Sequence, residues 1–177
     1  MVLPMLDSAN YSVFERLPSG RRIQVRALRP QDRESLLSAV ARTSTTSLYR
    51  RFFRVKRQFS EKEIAFFVNV DFAKHVALVV VADEGGAQRI IAGGRYVVEE
   101  PGAAEVAFVV IDEYQGHGIG SALMRHLTAI ARDASLKQLI AHVLPDNAGM
   151  LKVFEKCGLR TDRTRDADGV HITLHLS

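Results

Sequence analysis

A single cysteine, Cys157, stands in the 177 residues, so an internal disulfide is impossible. No Cys/His cluster has zinc spacing, and no metal is expected. No apolar run approaches the roughly 20 residues of a membrane span. The opening MVLPMLDSAN has neither the basic region nor the long apolar region of a signal peptide. These absences exclude a membrane partner and point to a reducing cytoplasm. Internal repeats and low-complexity linkers are also missing, and the length suits one domain with a sizeable core. With 47% hydrophobic and 25% charged residues, general disorder is excluded.

The net charge of +4 is small but unevenly placed. Arg50, Arg51, Arg54, Lys56 and Arg57 fall within eight residues, interleaved with Tyr49, Phe52, Phe53 and Phe59. The plainest reading is an amphipathic helix with a solvated basic face and aromatic core anchors. Such a patch also suits an acidic protein, a phosphorylated cofactor or nucleic acid. A nucleic-acid module would leave the glycine pattern described below unexplained, which argues against that partner.

Residues 1–18 read as an N-terminal tail and 19–177 as the domain. Arg22–Leu28 alternates as a strand, and Arg29-Pro30 with Asp32 opens a helix carrying Leu36, Leu37 and Val40. Thr43–Thr46 is a polar break before the basic helix. Ser60-Glu61-Lys62-Glu63 is a capping box that starts another helix. Three strands then follow tight turns: Val76–Ala82, Ile90–Val98 and Val106–Ile111. A helix with Ile119, Leu123, Leu127, Ile130 and Ala134 on one face comes next, then a strand at Leu139–Leu144. Asp146 is placed to cap a last helix that stops near Gly158, and Arg160–Arg165 pairs with Val170–Leu176 as a hairpin. The expected fold is an α/β (α+β) single domain, with a mixed, mostly antiparallel central sheet flanked by helices.

The stretch YQGHGIGSAL places glycines at 116, 118 and 120, between a buried strand and a helix start. A P-loop would need a lysine here, and the dinucleotide fingerprint would need glycine where the chain has Ser121. What remains is a set of successive amides at a helix N-terminus, where the dipole favours an anion. Glycine lets the backbone approach a phosphate closely.

Gln115-x-x-Gly118-x-Gly120 resembles the Q/R-x-x-G-x-G/A motif of the GNAT family of N-acetyltransferases. The likeness extends from the strand Glu105–Ile111 to Pro145-Asp146-Asn147 and Lys156-Cys157-Gly158-Leu159. Leu48-Tyr49-Arg50-Arg51-Phe52-Phe53, Ala104–Phe108 and Asn147–Leu151 look like the acetyltransferase domain of bacterial protein-lysine acetyltransferases, here in a free-standing version. The resemblance implies acetyl-CoA as co-substrate, its pyrophosphate on the amides of Gly116, His117, Gly118, Ile119, Gly120 and Ser121, with Gln115 opening the motif. The strand edge at Phe108, Val109 and Val110 would pair with the pantetheine amides, and Asn147 would contact the same arm.

Transfer to an amine needs the amine neutral, a state a lysine occupies about once in 2,500 at pH 7. Glu105, in the apolar stretch Ala103–Phe108, is the first candidate base, and the resemblance gives a glutamate at this position that role. His142, in the strand Ile140–Leu144, is the second, with a hydrogen-bonded core histidine as its plainer reading. Many relatives carry a tyrosine where this chain has Phe154, so protonation of the departing thiolate would fall to water or be dispensed with. Cys157 reads as a small core residue. The acceptor is an amine, a protein lysine or a small molecule, and a CoA-binding sensor with little catalysis is the alternative function. A homodimer stays open.

Overall fold

The computed structural model describes residues 6–54 and 56–177. Its strands are β1 (Ser12–Arg16), β2 (Arg22–Ala27), β3 (His75–Glu84), β4 (Ala87–Glu100), β5 (Ala103–Val110), β6 (Gln138–Val143), β7 (Arg160–Asp166) and β8 (Gly169–His175). Among the described residues the helices are α1 (Arg33–Ala41), α2 (Thr45–Phe52), α3 (Glu61–Val68), α4 (Ile119–Asp133) and α5 (Ala148–Glu155). The strands form one sheet in the order β1-β2-β3-β4-β5-β6-β8-β7. All neighbours are antiparallel except β5 and β6, which run parallel. This is the mixed, mostly antiparallel α/β domain expected from the sequence.

The central strands explain the apolar runs. Residues 75–82 of β3 are all buried, so both faces of the strand are covered and alternation disappears. One face carries Arg95 and, by alternation with the pair Arg95–Ala107, also Glu105. Helix α3 covers it, with Arg95 donating to the Phe67 carbonyl at 3.1 Å. The opposite face carries Gly94 and Phe108 and packs on α4. A Cβ on Gly94 would lie 2.6 Å from Phe108 Cδ1 and 3.2 Å from Leu127 Cδ1. Glycine there lets the Phe108 ring lie flat between the sheet and the helix.

Several local expectations change. The tail expected over 1–18 contains β1, which pairs with β2. Residues 1–5 of that tail lie outside the described residues. The strand is tied to α4 through His126, whose Nδ1 hydrogen-bonds Tyr11 Oη and whose Nε2 hydrogen-bonds Glu15 Oε1, both at 2.6 Å. The basic-aromatic helix ends at Phe52, because Phe53 turns into the left-handed region with φ 59°. Asn147, not Asp146, caps α5: its Oδ1 accepts from the Met150 N–H at 3.3 Å. The Ser60–Glu63 capping box forms as read, with reciprocal bonds of 3.1 and 2.8 Å.

The basic cluster is largely occupied by the protein itself. Lys56 and Arg54 approach Glu63 at 2.7 and 3.5 Å, and Arg57 donates to the Thr43 carbonyl at 2.8 Å. Arg50 donates to the Asp146 carbonyl at 3.4 Å, joining α2 to the turn before α5.

A second tie fixes the segment after β5. Arg42, at the end of α1, makes two hydrogen bonds to Glu84, and Tyr114 Oη donates to the same carboxylate at 2.6 Å. First Arg42 and then Tyr114 pull the Glu84 pKa from the usual 4.5 to about 2. Because the folded value is depressed, this stabilisation is present above pH 4.5 and is lost as pH falls toward 2. Glu84→Gln should therefore cost about 1–2 kcal/mol at pH 7. Urea unfolding across the pH range should show that difference shrinking below pH 4.5 and vanishing near pH 2.

Candidate active site

The cleft begins where two central strands part. β5 and β6 pair only at Ala103–Gln138, Ala104–Leu139 and Glu105–Ile140. Among the described residues the edge of β5 that faces β6 has no strand partner beyond Glu105, and of its backbone groups from 106 to 110 the Val110 carbonyl is taken by Gln115. Phe108, Val109 and Val110, the residues expected to offer a strand edge, lie on this stretch. The side chain of Phe108 turns away into the core against Phe154, with ring centroids 5.9 Å apart. Phe154 is buried, so its ring is packing, and the backbone of β5 remains for a ligand.

At the end of β5 a one-turn 3-10 helix, Asp112–Tyr114, leads into the glycine loop. Asp112 accepts from the Ser44 amide at 2.8 Å and from the Ser44 and Ser47 hydroxyls at 2.7 and 3.1 Å. Gln115 Nε2 donates to Ser47 Oγ and to the Val110 carbonyl, each at 3.0 Å. Its side chain thus braces the loop against α2 and β5.

The three glycines serve different ends. Gly116 and Gly118 have φ of 78° and 88°, the left-handed region that other residues enter only with strain. Gly118 is the N-cap of α4 and brings no side-chain cap. Gly120 has ordinary helical geometry, and its missing side chain admits α5: a Cβ there would meet Val153 Cγ2 at 3.1 Å. Among the described residues the amides of 116–121 donate to no carbonyl or side chain. A helix start leaves such donors free, with partial positive charge, for an anion.

Glu105 sits at the fork, half-buried. Burial comes first in raising its pKa, and the neighbouring Glu99 carboxyl raises it further, while His142 and Arg51 pull it back. Glu99 was not legible as a site residue. The β4–β5 register shifts between Val98 and Glu100, so Glu99 is the extra residue of a bulge, and the bulge aims its carboxyl at Glu105. A pair of acidic residues beside the turn Pro101-Gly102 was the signal available.

His142 Nε2 lies 4.0 Å from Glu105 Oε2, so the two candidate bases are neighbours. The core-histidine reading of His142 is overturned, because the ring is a third exposed and lies at the cleft. Its Nδ1 is 2.6 Å from Nδ1 of His171, a second histidine the sequence reading did not connect to it.

Together these elements enclose a cleft of about 590 Å³. Glu105, His142, Phe108, Val109, Val110, Gln115, Gly116, Gly118, Ile119, Gly120, Ser121 and Asn147 all line it, with Arg50 and Arg51 from α2. His117 does not: it is exposed on the outer side of the loop. Cys157 also stands apart, its thiol donating to the Phe154 carbonyl at 3.0 Å. No described helix is long and apolar enough to cross a membrane.

A split sheet with a free strand edge and an amide-lined helix start is suited to an extended ligand that carries an anion. The chain belongs to the Acetyltransferase (GNAT) family, whose model matches residues 42–159. It is 37% identical over 142 residues to Acetyltransferase Pat of Mycolicibacterium smegmatis, covering 79% of this chain and 42% of that protein. The chain thus spans less than half of that relative. It is 30% identical over 162 residues to Acetyltransferase PA5475 of Pseudomonas aeruginosa, covering 91% of this chain and 86% of that one. The GNAT domain of S. lividans PAT superposes with a TM-score of 0.84 at 33% identity, over 93% of this chain and 96% of that domain. These relatives place the chain close to bacterial protein acetyltransferases.

Glu99→Gln removes one of the two influences that hold the Glu105 pKa up. The Glu105 carboxyl, followed by carbon-detected NMR, should titrate at lower pH in the variant than in the wild type. An unchanged midpoint would show that burial alone sets it.

Proposed function

We propose that this chain transfers an acetyl group from acetyl-CoA directly to the amine of a protein lysine, with Glu105 as general base. The observation that carries the reading is the position of Glu105 at the fork of β5 and β6, where the free strand edge begins and on the lining of the cleft. The unpartnered amides at 116–121 and the unpaired edge at 106–110 fit a long ligand with a pyrophosphate at one end and amides along its arm. Asn147 spends its Oδ1 on Met150, which leaves its Nδ2 to donate into the cleft.

Bound acetyl-CoA supplies an acyl group already activated as a thioester, so no nucleophile of the protein is required. The protein's tasks are orientation and removal of a proton. Neutralising a lysine at pH 7 costs about 4.6 kcal/mol. Glu105 accepts that proton at Oε1 or Oε2, and its raised pKa makes it a better-matched acceptor than an ordinary glutamate. Arg51 beside it disfavours a second cation, which favours the neutral amine. Phe154 offers no proton at its position. A thiolate with a pKa of about 8.5 is a good enough leaving group to depart without one.

The test is thiol release from acetyl-CoA with a panel of amines and lysate proteins, wild type against Glu105→Gln. The variant should lose about 100-fold or more in kcat while its affinity for CoA is unchanged. Retained activity would move the base to His142 or water. No release with any acceptor, despite CoA binding, would favour a sensor.

A further inference from the structure

His142 and His171 are register partners across β6 and β8. Their Nδ1 atoms stand 2.6 Å apart, and their rings meet edge-on at 84°. At that distance one Nδ1 carries a proton and donates it to the other. Tying both Nδ1 atoms together turns each ring's Nε2 outward, in opposite directions along one face of the sheet. His142 Nε2 then points to Glu105 at 4.0 Å, and His171 Nε2 lies 2.8 Å from Asp166 Oδ2. Asp166 is itself fixed, because its Oδ1 accepts the amides of Asp168 and Gly169 at 2.8 and 3.2 Å in the hairpin turn. The row Glu105–His142–His171–Asp166 therefore crosses β5, β6, β8 and β7 with one member on each strand.

We infer that His171 is a positioning residue for the base: through the Nδ1–Nδ1 contact it holds the His142 ring with Nε2 toward Glu105. This rests on the assignment of Glu105 as base. A histidine a third exposed on a strand has no other restraint on its ring, and the solvated rotamers would take it away from the carboxylate. The groups facing Glu105 are Glu99 from β4, Arg51 from α2 and His142 from β6. Those facing His171 are His142 from β6 and, from β7, Asp166 and its register partner Thr164. The shared hydrogen bond makes one Nδ1 the donor and the other the acceptor, which fixes the two rings against each other. Held there, His142 stabilises the carboxylate form of Glu105. Released, it leaves Glu99 unopposed on that side except by Arg51.

The measurement is the pH dependence of kcat/KM for acetyl transfer in wild type, His171→Phe, His171→Asn and Glu105→Gln. His171→Phe keeps the ring's shape but has no nitrogen. Its acidic limb should move to higher pH by about half a unit or more, with the KM for acetyl-CoA unchanged. His171→Asn, whose amide stands near the former Nδ1, should restore the wild-type limb. A Phe variant with the wild-type limb, or an Asn variant that fails to restore it, overturns the positioning role. The Glu105→Gln arm separates the two readings. If it is inactive while His171→Phe titrates as wild type, only the role of His171 fails; if it keeps full activity, the base assignment fails and this inference with it.

Discussion

The parting of β5 from β6 after Glu105 is the constraint on which the rest of the molecule depends. Unpaired backbone groups in a sheet interior are expensive, each costing about 1–3 kcal/mol if water or a ligand does not reach them. Phe108 and Phe154 pack beside the gap, and Gly94 makes the room that Phe108 needs. The close contact of Gly120 and Val153 joins α4 to α5. The same opening gives an extended ligand its strand edge and puts Glu105 at the apex. One departure from regular pairing thus yields both a binding surface and a place for a base.

The glycine loop is kept ready for an anion by what surrounds it. The nearest acids, Asp112 and Glu113, precede the helix and would compete for its positive end. Asp112 is bound by Ser44 and Ser47, and Glu113 approaches Arg42 at 3.2 Å. The first turn of α4 has no acidic residue. Free amides and the helix dipole therefore act together, with no carboxylate folded over them. The Gln115 brace and the Tyr114–Glu84 bond fix the loop from two sides, so the amides are arranged before a ligand arrives.

What the sequence revealed follows from which interactions are local. The β-branched run at 76–82, the Ser60 capping box and the glycine spacing are local, and each reads directly. So does Glu105, a charge inside an apolar stretch. The partner of His142 was hidden because it lies 29 residues downstream and depends on the register between β6 and β8. Glu99 was hidden because a bulge, not the alternation of the strand, sets its direction. The glycines looked like one device because spacing cannot separate a left-handed turn from a close helix contact. Asp146 and Asn147 both suit a cap, and only the turn geometry decides for Asn147.

In the proposed reaction the surroundings of the fork bear on the ionised forms of both reactants. An ordinary glutamate is about six pKa units below a lysine, an uphill proton transfer of about 8 kcal/mol. Every unit by which Glu105 is raised removes about 1.4 kcal/mol of that gap. Burial and Glu99 act on this side of the balance. On the other side, Arg51 lowers Glu105 slightly, which on its own would harm the base. Yet the same guanidinium would repel an incoming ammonium, and Arg95, which feels Arg51, carries the same sign. A neutral amine feels neither penalty. In the proposed reaction the Arg51 guanidinium that lowers Glu105 would therefore favour the one form of the acceptor that can attack, and a site containing both Glu99 and Arg51 is consistent rather than conflicted.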